Sequence, residues 1–341
     1  MSAGDKPKKP ERALRAEFPR FAKPWEEARN QKRRTLLPPT SAGQEPDVAP
    51  RKRDPLLVAL PTETNKSAVV FEVAALKDSP VGQAWLDCLL EKQANGKKQK
   101  RGRDEFKEKF GIDLLEDVER VAVSSGKVAI LSVTQGAARF DRSGWPERKV
   151  GEYGVLYENK EEGGVLATWG DEIVLAGADA EAIEAAITRL ESKAPARSSV
   201  IPDWAAYGDI YGVLSPEDLA DMFPKDQFPK DQGDLAERLR RAVERVDLHV
   251  DTSEDVAIVA DVNGPSEDEI GDLAKSMGGA LSLARLGAEQ NGDDKLRELL
   301  DYATVRPNGG RFSLDVALPL DVLKEWGPCR KSEAPPAPSS R

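Results

Sequence analysis

The sequence predicts an α+β protein made of two similar halves, each a mostly antiparallel sheet with helices packed on one face. The first reason is a repeated motif: the four residues VERV begin at Val118 and again at Val243. The second is that both copies continue as apolar residues alternating with polar ones, which is typical of half-buried antiparallel strands. The third is that similar elements surround each copy in the same order. We therefore interpret the body as a duplicated unit.

The element before each repeat is predicted to be a strand that leads into a helix. The segment AVVFEV is followed, after five residues, by Ser79 and Pro80, and the segment GDIYGVL is followed directly by Ser215 and Pro216. Serine is a favoured N-cap and proline a favoured first helical residue, so each pair marks a helix start. Each VERV strand is then predicted to turn back into a second strand, through SSG in the first copy and DTSED in the second.

Both halves are predicted to end in two strands and a helix. In the first half GVLATW and EIVLAG flank a tight turn, and Ile183, Ile187 and Leu190 share one face of the helix that follows. In the second half Asn308-Gly309 predicts a hairpin, because both residues tolerate positive φ. The inserted segments differ, and the second half carries a helix opened by a capping box of Ser266 and Glu269.

The chain is predicted to divide into four parts. Residues 1–55 form a disordered, basic, proline-rich arm, residues 56–200 the first α+β unit, residues 201–327 the second, and residues 328–341 a disordered tail. The prolines of the arm prevent any long helix, and its density of charge is high.

Four segments carry a resemblance to other proteins: FEVAALKDSPVGQAWL, GIDLLEDVERVAVSSG, DEIVLAGADAEAIEAAI and GRFSLDVALPLDVL. Together they resemble a loose group of uncharacterised bacterial proteins with a duplicated α+β body, over roughly residues 56–327. The resemblance implies the duplicated fold and, for many members of the group, an exported or membrane-anchored location. It brings no assigned catalytic residues.

Charge is unevenly distributed along the chain. Residues 1–55 hold 14 Lys and Arg against 8 Asp and Glu, a net charge of +6. Because the whole chain carries −10, the remaining residues carry −16. An acidic body repels phosphate backbones, so nucleic-acid binding by the body is disfavoured. Binding to a nucleic acid or an anionic membrane surface is left only to the basic segments 31–34, 51–53 and 96–103.

No catalytic, cofactor-binding or metal-binding residue is predicted. The sequence lacks a GxSxG elbow, a P-loop and a GxGxxG motif after a strand. Its one histidine, His249, shares the polar face of a strand with Asp247 and Asp251, and we interpret it as exposed to solvent. Cys88 and Cys329 belong to no metal-binding motif.

Location is predicted from absent signals. No apolar run approaches the eighteen or so residues of a membrane helix, so no transmembrane segment is expected. The first 55 residues lack the apolar region of a signal peptide. A cytoplasmic protein is therefore expected, with Cys88 a buried free thiol. Export or the cell envelope is the alternative, and only an exported chain would carry a Cys88–Cys329 bridge.

The arm segment 17–34 is the strongest candidate for binding. Phe18, Phe21 and Trp25 are large apolar side chains in a segment with no core of its own, and such residues anchor in a partner's groove. Attraction to an acidic surface would come from the basic residues Arg20, Lys23, Lys32, Arg33 and Arg34. That surface belongs to a protein partner or to a second copy of the chain. The alternatives are that the aromatic residues pack onto the chain's own body or stay solvated.

The preferred function is a non-enzymatic protein-binding or structural protein whose basic, aromatic arm docks a partner. The alternative is a small-molecule or envelope-associated binding protein that uses the cleft between the two halves, where ligands often bind. A third reading is an enzyme with a carboxylate or lysine site that no motif reveals.

Overall fold

The computed structural model describes residues 14–34, 54–84, 111–125, 128–138, 145–159, 164–192, 199–221 and 233–326, together with Lys107. Across these residues twelve strands form one sheet, and every neighbouring pair is antiparallel. Helices cover the sheet, so the predicted α+β class is confirmed.

The strands are β1 (Ala68–Glu72), β2 (Val118–Ser124), β3 (Val128–Val133), β4 (Glu147–Val150), β5 (Gly154–Asn159), β6 (Gly164–Trp169), β7 (Ile173–Gly177), β8 (Ile210–Leu214), β9 (Arg245–Asp251), β10 (Val256–Asn263), β11 (Ala303–Pro307) and β12 (Arg311–Leu318). The helices are α1 (Pro24–Arg34), α2 (Pro55–Ala59), α3 (Val73–Asp78), α4 (Ala180–Glu191), α5 (Pro216–Asp221), α6 (Gly233–Ala242), α7 (Glu267–Gln290), α8 (Asp294–Asp301) and α9 (Leu320–Trp326), with a short 3-10 helix at Asp203–Ala205.

The two halves use the same strand order. The order β1-β2-β3-β7-β6 in the first half is matched by β8-β9-β10-β12-β11 in the second, and the first half adds β5 and β4 at its edge. The halves join where β1 pairs with β8, with Val70 opposite Tyr211. The sheet therefore continues from one half into the other, and the division of the chain at residue 200 stays a prediction.

Both faces of the sheet are buried in its first half. In β3, Ile130 belongs to the apolar cluster that includes Ile183 of α4, while Leu131 belongs to a separate cluster with Ile112. Successive side chains of a strand point to opposite faces, so β3 is buried on both sides. We call the face that carries Ile130 the front face and the other the back face.

The front face changes character from one half to the other. A row of directly paired residues crosses it in the order Leu156, Ala167, Leu175, Ile130, Ala122, Val70, Tyr211, His249, Val259 and Asp315. In the first half the row is apolar and packs in the cluster that includes residues of α2 and α4. In the second half the same face carries Asp247, Asp251 and Asp261, so it needs a polar cover. The back face of the second half is apolar and packs against α6 and α7.

Local signals in the sequence account for several elements. Ile183, Ile187 and Leu190 are buried on one face of α4, and each buried aliphatic side chain contributes roughly 1.5–3 kcal/mol. Ser266 Oγ accepts a hydrogen bond from the Glu269 backbone N–H at 3.3 Å, as the capping box requires. No helix in the described part of the chain has the length and apolar character needed to cross a membrane.

Part of the predicted disordered arm is ordered in the structure. Residues 14–34 lie on the front face of the second half and end in the eleven-residue helix α1. The sequence allows this helix because Pro24 is its first residue. At that position the backbone N–H has no partner within the helix, so proline, which has no N–H, costs nothing there. The rest of the arm, residues 1–13 and 35–53, and the predicted tail at 328–341 lie outside the described residues.

Candidate functional site: the arm on the polar face of the sheet

Four cations of the arm pair with buried carboxylates of the body, and they are Arg20, Lys23, Arg29 and Arg33. Arg33 donates from both terminal nitrogens to the two oxygens of Glu72, each at 2.9 Å. Arg20 Nη2 lies 2.5 Å from Asp315 Oδ2, and Lys23 Nζ bonds to Asp251 Oδ2. Glu72 and Asp315 are each only 1% exposed, so their charges are costly to bury. The arm cations help to neutralise them, together with body residue Arg306, whose Nε lies 3.0 Å from Asp315 Oδ2.

Further hydrogen bonds fix the backbone of the arm. Glu26 is buried and accepts from the Gly208 N–H at 2.6 Å, and Asn30 Nδ2 donates to the Ala206 carbonyl at 2.6 Å. Gly208 has φ of +97°, and a Cβ there would lie 2.9 Å from the Val250 carbonyl oxygen. Only glycine fits this position without strain, so the link before β8 is shaped to receive α1.

The junction of the two halves holds a buried network of charges. Arg120, 2% exposed, donates to both oxygens of Asp54 at 2.7 and 3.0 Å, and the Tyr211 hydroxyl donates to Glu72 at 3.1 Å. Burial alone would raise the pKa of Asp54, but the neighbouring Arg120 guanidinium outweighs it and holds that pKa below the usual range. The alternative function requires a cleft between the two halves. Among the described residues, this buried network of charges occupies the junction of the halves instead.

A groove of about 890 Å³ lies instead between the arm and the front face of the second half. Its floor includes His249, whose ring stacks on Tyr207 with centroids 3.9 Å apart and planes 4° from parallel. The prediction that His249 is exposed is wrong, since the residue is 2% exposed. The assignment to the polar strand face was correct, but the arm and Tyr207 cover that face.

The protonation of His249 follows from its contacts. Burial lowers its pKa, which keeps the imidazole neutral at pH 7. Its Nδ1 lies 3.2 Å from the Tyr207 carbonyl oxygen, which can only accept, so Nδ1 carries the proton. Nε2 is then an acceptor, and within the described chain no donor reaches it.

Two aspartates line the groove beside this histidine, and they differ in their partners. Asp247 accepts from Arg245 Nε at 2.7 Å and from Asn263 Nδ2 at 3.3 Å. The Asp261 carboxylate accepts no hydrogen bond from any residue that the structure describes. Burial raises the pKa of Asp261; Arg20 and Arg311 partly oppose the rise, and the charge of Asp247 adds to it.

The aromatic residues predicted as anchors take different positions. Phe18 is half-buried, while Phe21 is 75% exposed and lines the groove. Trp25 is 51% exposed, with the Arg29 guanidinium 5.1 Å from its ring centroid. Trp204, which the sequence analysis missed, is 70% exposed and lines the groove with Phe21.

The predicted basic residues also differ in their surroundings. Arg20, Lys23 and Arg33 pair with carboxylates of the chain's own body. Lys32 has an exposed side chain, and Arg34 is the last residue of α1. The signal for the missed Asp261 was its place in the alternating segment VAIVADVN, beside the polar face of VDLHVD.

Several other predictions concern residues that the structure does not describe. Cys88, Cys329 and the basic segments 51–53 and 96–103 lie outside the described residues. Within the described ranges, no group of three or more His, Cys, Asp or Glu side chains is placed to hold a metal ion.

Comparisons with known proteins give little help. No family model matches the chain, and no curated protein matches it. A solved structure titled "Structure of crystal form I of TP0453" is similar with a TM-score of 0.39 and 11% sequence identity, covering 79% of this chain and 95% of that one.

Proposed function

We propose that the chain is a non-enzymatic protein-binding protein whose binding surface is the groove together with the exposed rings of Phe21 and Trp204. The observation that carries the proposal is the position of Phe21. Its neighbours Arg20 and Lys23 are anchored to buried carboxylates, while its own ring is 75% exposed. The backbone thus holds the ring outward instead of folding it into the core.

The energetics favour a partner at this surface. A large aromatic side chain buries roughly 150–250 Å² when covered, which corresponds to several kcal/mol at about 25 cal/mol per Å². A ring on an anchored segment loses less entropy on binding than one on a free chain. In this proposal the partner meets a surface built jointly by the arm and the body, rather than the arm alone.

The test is quantitative affinity capture with the full-length chain from its host's lysate. The double variant Phe21→Ser, Trp204→Ser removes both rings, and Leu283→Ser, Leu286→Ser is the matched control because it removes two exposed apolar residues of α7. We expect a partner whose recovery falls at least about tenfold with the first variant and not with the second. If every captured protein is recovered equally by both variants, the proposal fails.

The small-molecule alternative is supported by one feature of the same groove. Its volume of about 890 Å³ lies within the roughly 300–1,000 Å³ of ligand pockets, although it lies beside the arm and not between the halves. Native mass spectrometry of protein purified from its host tests this reading. A bound small molecule that disappears in the Phe21→Ser, Trp204→Ser variant would favour it over a protein partner.

A further inference from the structure

We infer that the groove binds the guanidinium group of an arginine side chain of the partner protein. This inference rests on the proposed protein-binding function and adds the chemistry that the site recognises. It depends on three features of the groove: acceptors without donors on the floor, exposed aromatic rings at the rim, and an excess of negative charge.

The first feature is the floor. His249 is buried, and its Nε2 is an acceptor that no described residue reaches with a donor. The Asp261 carboxylate beside it also lacks a donor among the described residues. A ligand that covers these acceptors must supply donors to them, because an acceptor buried without a partner costs free energy, so the floor favours a ligand that brings donors only. Guanidinium is such a group, because it presents five N–H donors in a planar fork and no acceptor.

The second feature is the rim. Phe21 and Trp204 expose most of their rings to the groove mouth. Flat guanidinium groups pack on aromatic faces, whereas an ammonium group is a compact, strongly hydrated charge. The chain already uses this contact twice nearby, with Arg245 lying 5.8 Å from the Trp204 ring centroid and Arg29 lying 5.1 Å from that of Trp25. The rim therefore favours arginine over lysine.

The third feature is charge. The ionisable side chains that line the groove, apart from the neutral His249 and Tyr207, are the acids Glu27, Asp203, Asp247 and Asp261 and the bases Arg20 and Arg311. Four carboxylates against two guanidinium groups leave the groove negative, so phosphate or carboxylate ligands are disfavoured. Arg20 also shows that a guanidinium is accepted at this surface, since it pairs with the buried Asp315.

The experiment uses the full-length chain and three fluorescently labelled peptides of sequence Gly-Gly-Xaa-Gly-Xaa-Gly-Gly, where Xaa is arginine, citrulline or lysine. Citrulline keeps the shape of arginine but replaces one nitrogen by a carbonyl oxygen and carries no charge. Fluorescence anisotropy is expected to show the arginine peptide binding at least about tenfold more tightly than either other peptide. Equal binding of the citrulline or lysine peptide, or no binding of the arginine peptide, would overturn the inference.

A variant pair ties the binding to the floor of the groove. Asp261→Asn is expected to weaken arginine-peptide binding at least about tenfold. Asp272→Asn, on the exposed side of α7, is the matched control and should leave binding unchanged. Equal affinity in the two variants would contradict the inference, and thermal melts of both verify that they fold.

The two proposals fail in distinguishable ways. If arginine peptides do not bind while partner capture still depends on Phe21 and Trp204, the ligand chemistry is wrong and the protein-binding function stands. If neither result is obtained, both proposals fall together.

Discussion

Removing the charge of Asp54 is expected to lower the free energy of unfolding by about 3 kcal/mol. Arg120 is 2% exposed and directs both terminal nitrogens to Asp54, while its Nε has no hydrogen-bond partner. The other carboxylate nearby, Glu72, is already bonded to Arg33. Asp54→Asn would therefore leave a buried cation without its anion. The cost lies at the lower end of the usual 3–5 kcal/mol, because the asparagine oxygen still accepts one hydrogen bond.

Urea unfolding followed by circular dichroism measures this loss. Asp272→Asn is the control, since its ion pair with Lys275 is exposed and worth at most about 1 kcal/mol. The double variant Asp54→Leu, Arg120→Met should recover most of the stability, because it removes both charges together. A loss under about 1 kcal/mol for Asp54→Asn, or a double variant no more stable than the single one, would refute the argument from an unpaired buried charge.

The pH dependence of the same variant follows from the lowered pKa of Asp54. A carboxyl group with a lowered pKa in the folded state stabilises the fold above its ordinary value of 3.8 and loses that contribution as the pH falls through the folded-state value. The stability difference between the wild type and Asp54→Asn should therefore persist from pH 7 down to 3.8 and close only below it.

Three further predictions concern the arm and the groove. Arg33→Met should release α1 and raise the rate of tryptic cleavage within residues 23–34 at least about tenfold, and an unchanged rate would count against the anchoring role of Glu72. Asp261→Asn should raise the melting temperature at pH 7, because burial raises the pKa of Asp261 and ionising it in the folded state is unfavourable; a lower melting temperature would contradict this. Gly208→Ala should cost about 1–3 kcal/mol through the strain of its positive φ, measured by thermal unfolding; a neutral result would show that the link before β8 adapts.

The elements that the sequence predicted well depend on short-range signals. The hairpins of β2 with β3 and β9 with β10 follow from alternation on each side of a turn. The buried face of α4 follows from spacing, and the start of α5 follows from Ser215, whose Oγ accepts from the Asp218 N–H at 3.2 Å. Each signal lies within a few residues of the structure it specifies, so no knowledge of tertiary packing was needed.

The insertion in the first half was only partly predicted. The segment GAARFDRSGWPERKVGEYGVLYENKEE indicates a loop and one strand, whereas β4 and β5 both form there. Strand β4 has the sequence ERKV and lies at the edge of the sheet with mostly exposed side chains. A charged edge strand carries little apolar alternation, so the sequence pattern could not reveal it.

The candidate site escaped sequence reasoning because it is assembled from distant segments. The arm meets partners as remote as Asp315, which accepts a hydrogen bond from Arg20 across 295 residues. Opposite net charges predicted attraction between a basic arm and an acidic surface, but not which surface. Alternation placed His249 and Asp247 on one strand face correctly and could not indicate that residues from the other end of the chain cover it.

Amide hydrogen–deuterium exchange of residues 27–34 tests the central claim, that the arm docks on the polar face of its own chain. At low protein concentration these amides should exchange at least about 100-fold more slowly than in the isolated arm peptide, by a factor that does not change on dilution. Exchange as fast as in the peptide, or protection that is lost on dilution, would contradict the account. The first result would mean that the arm is free, and the second that it docks on another copy.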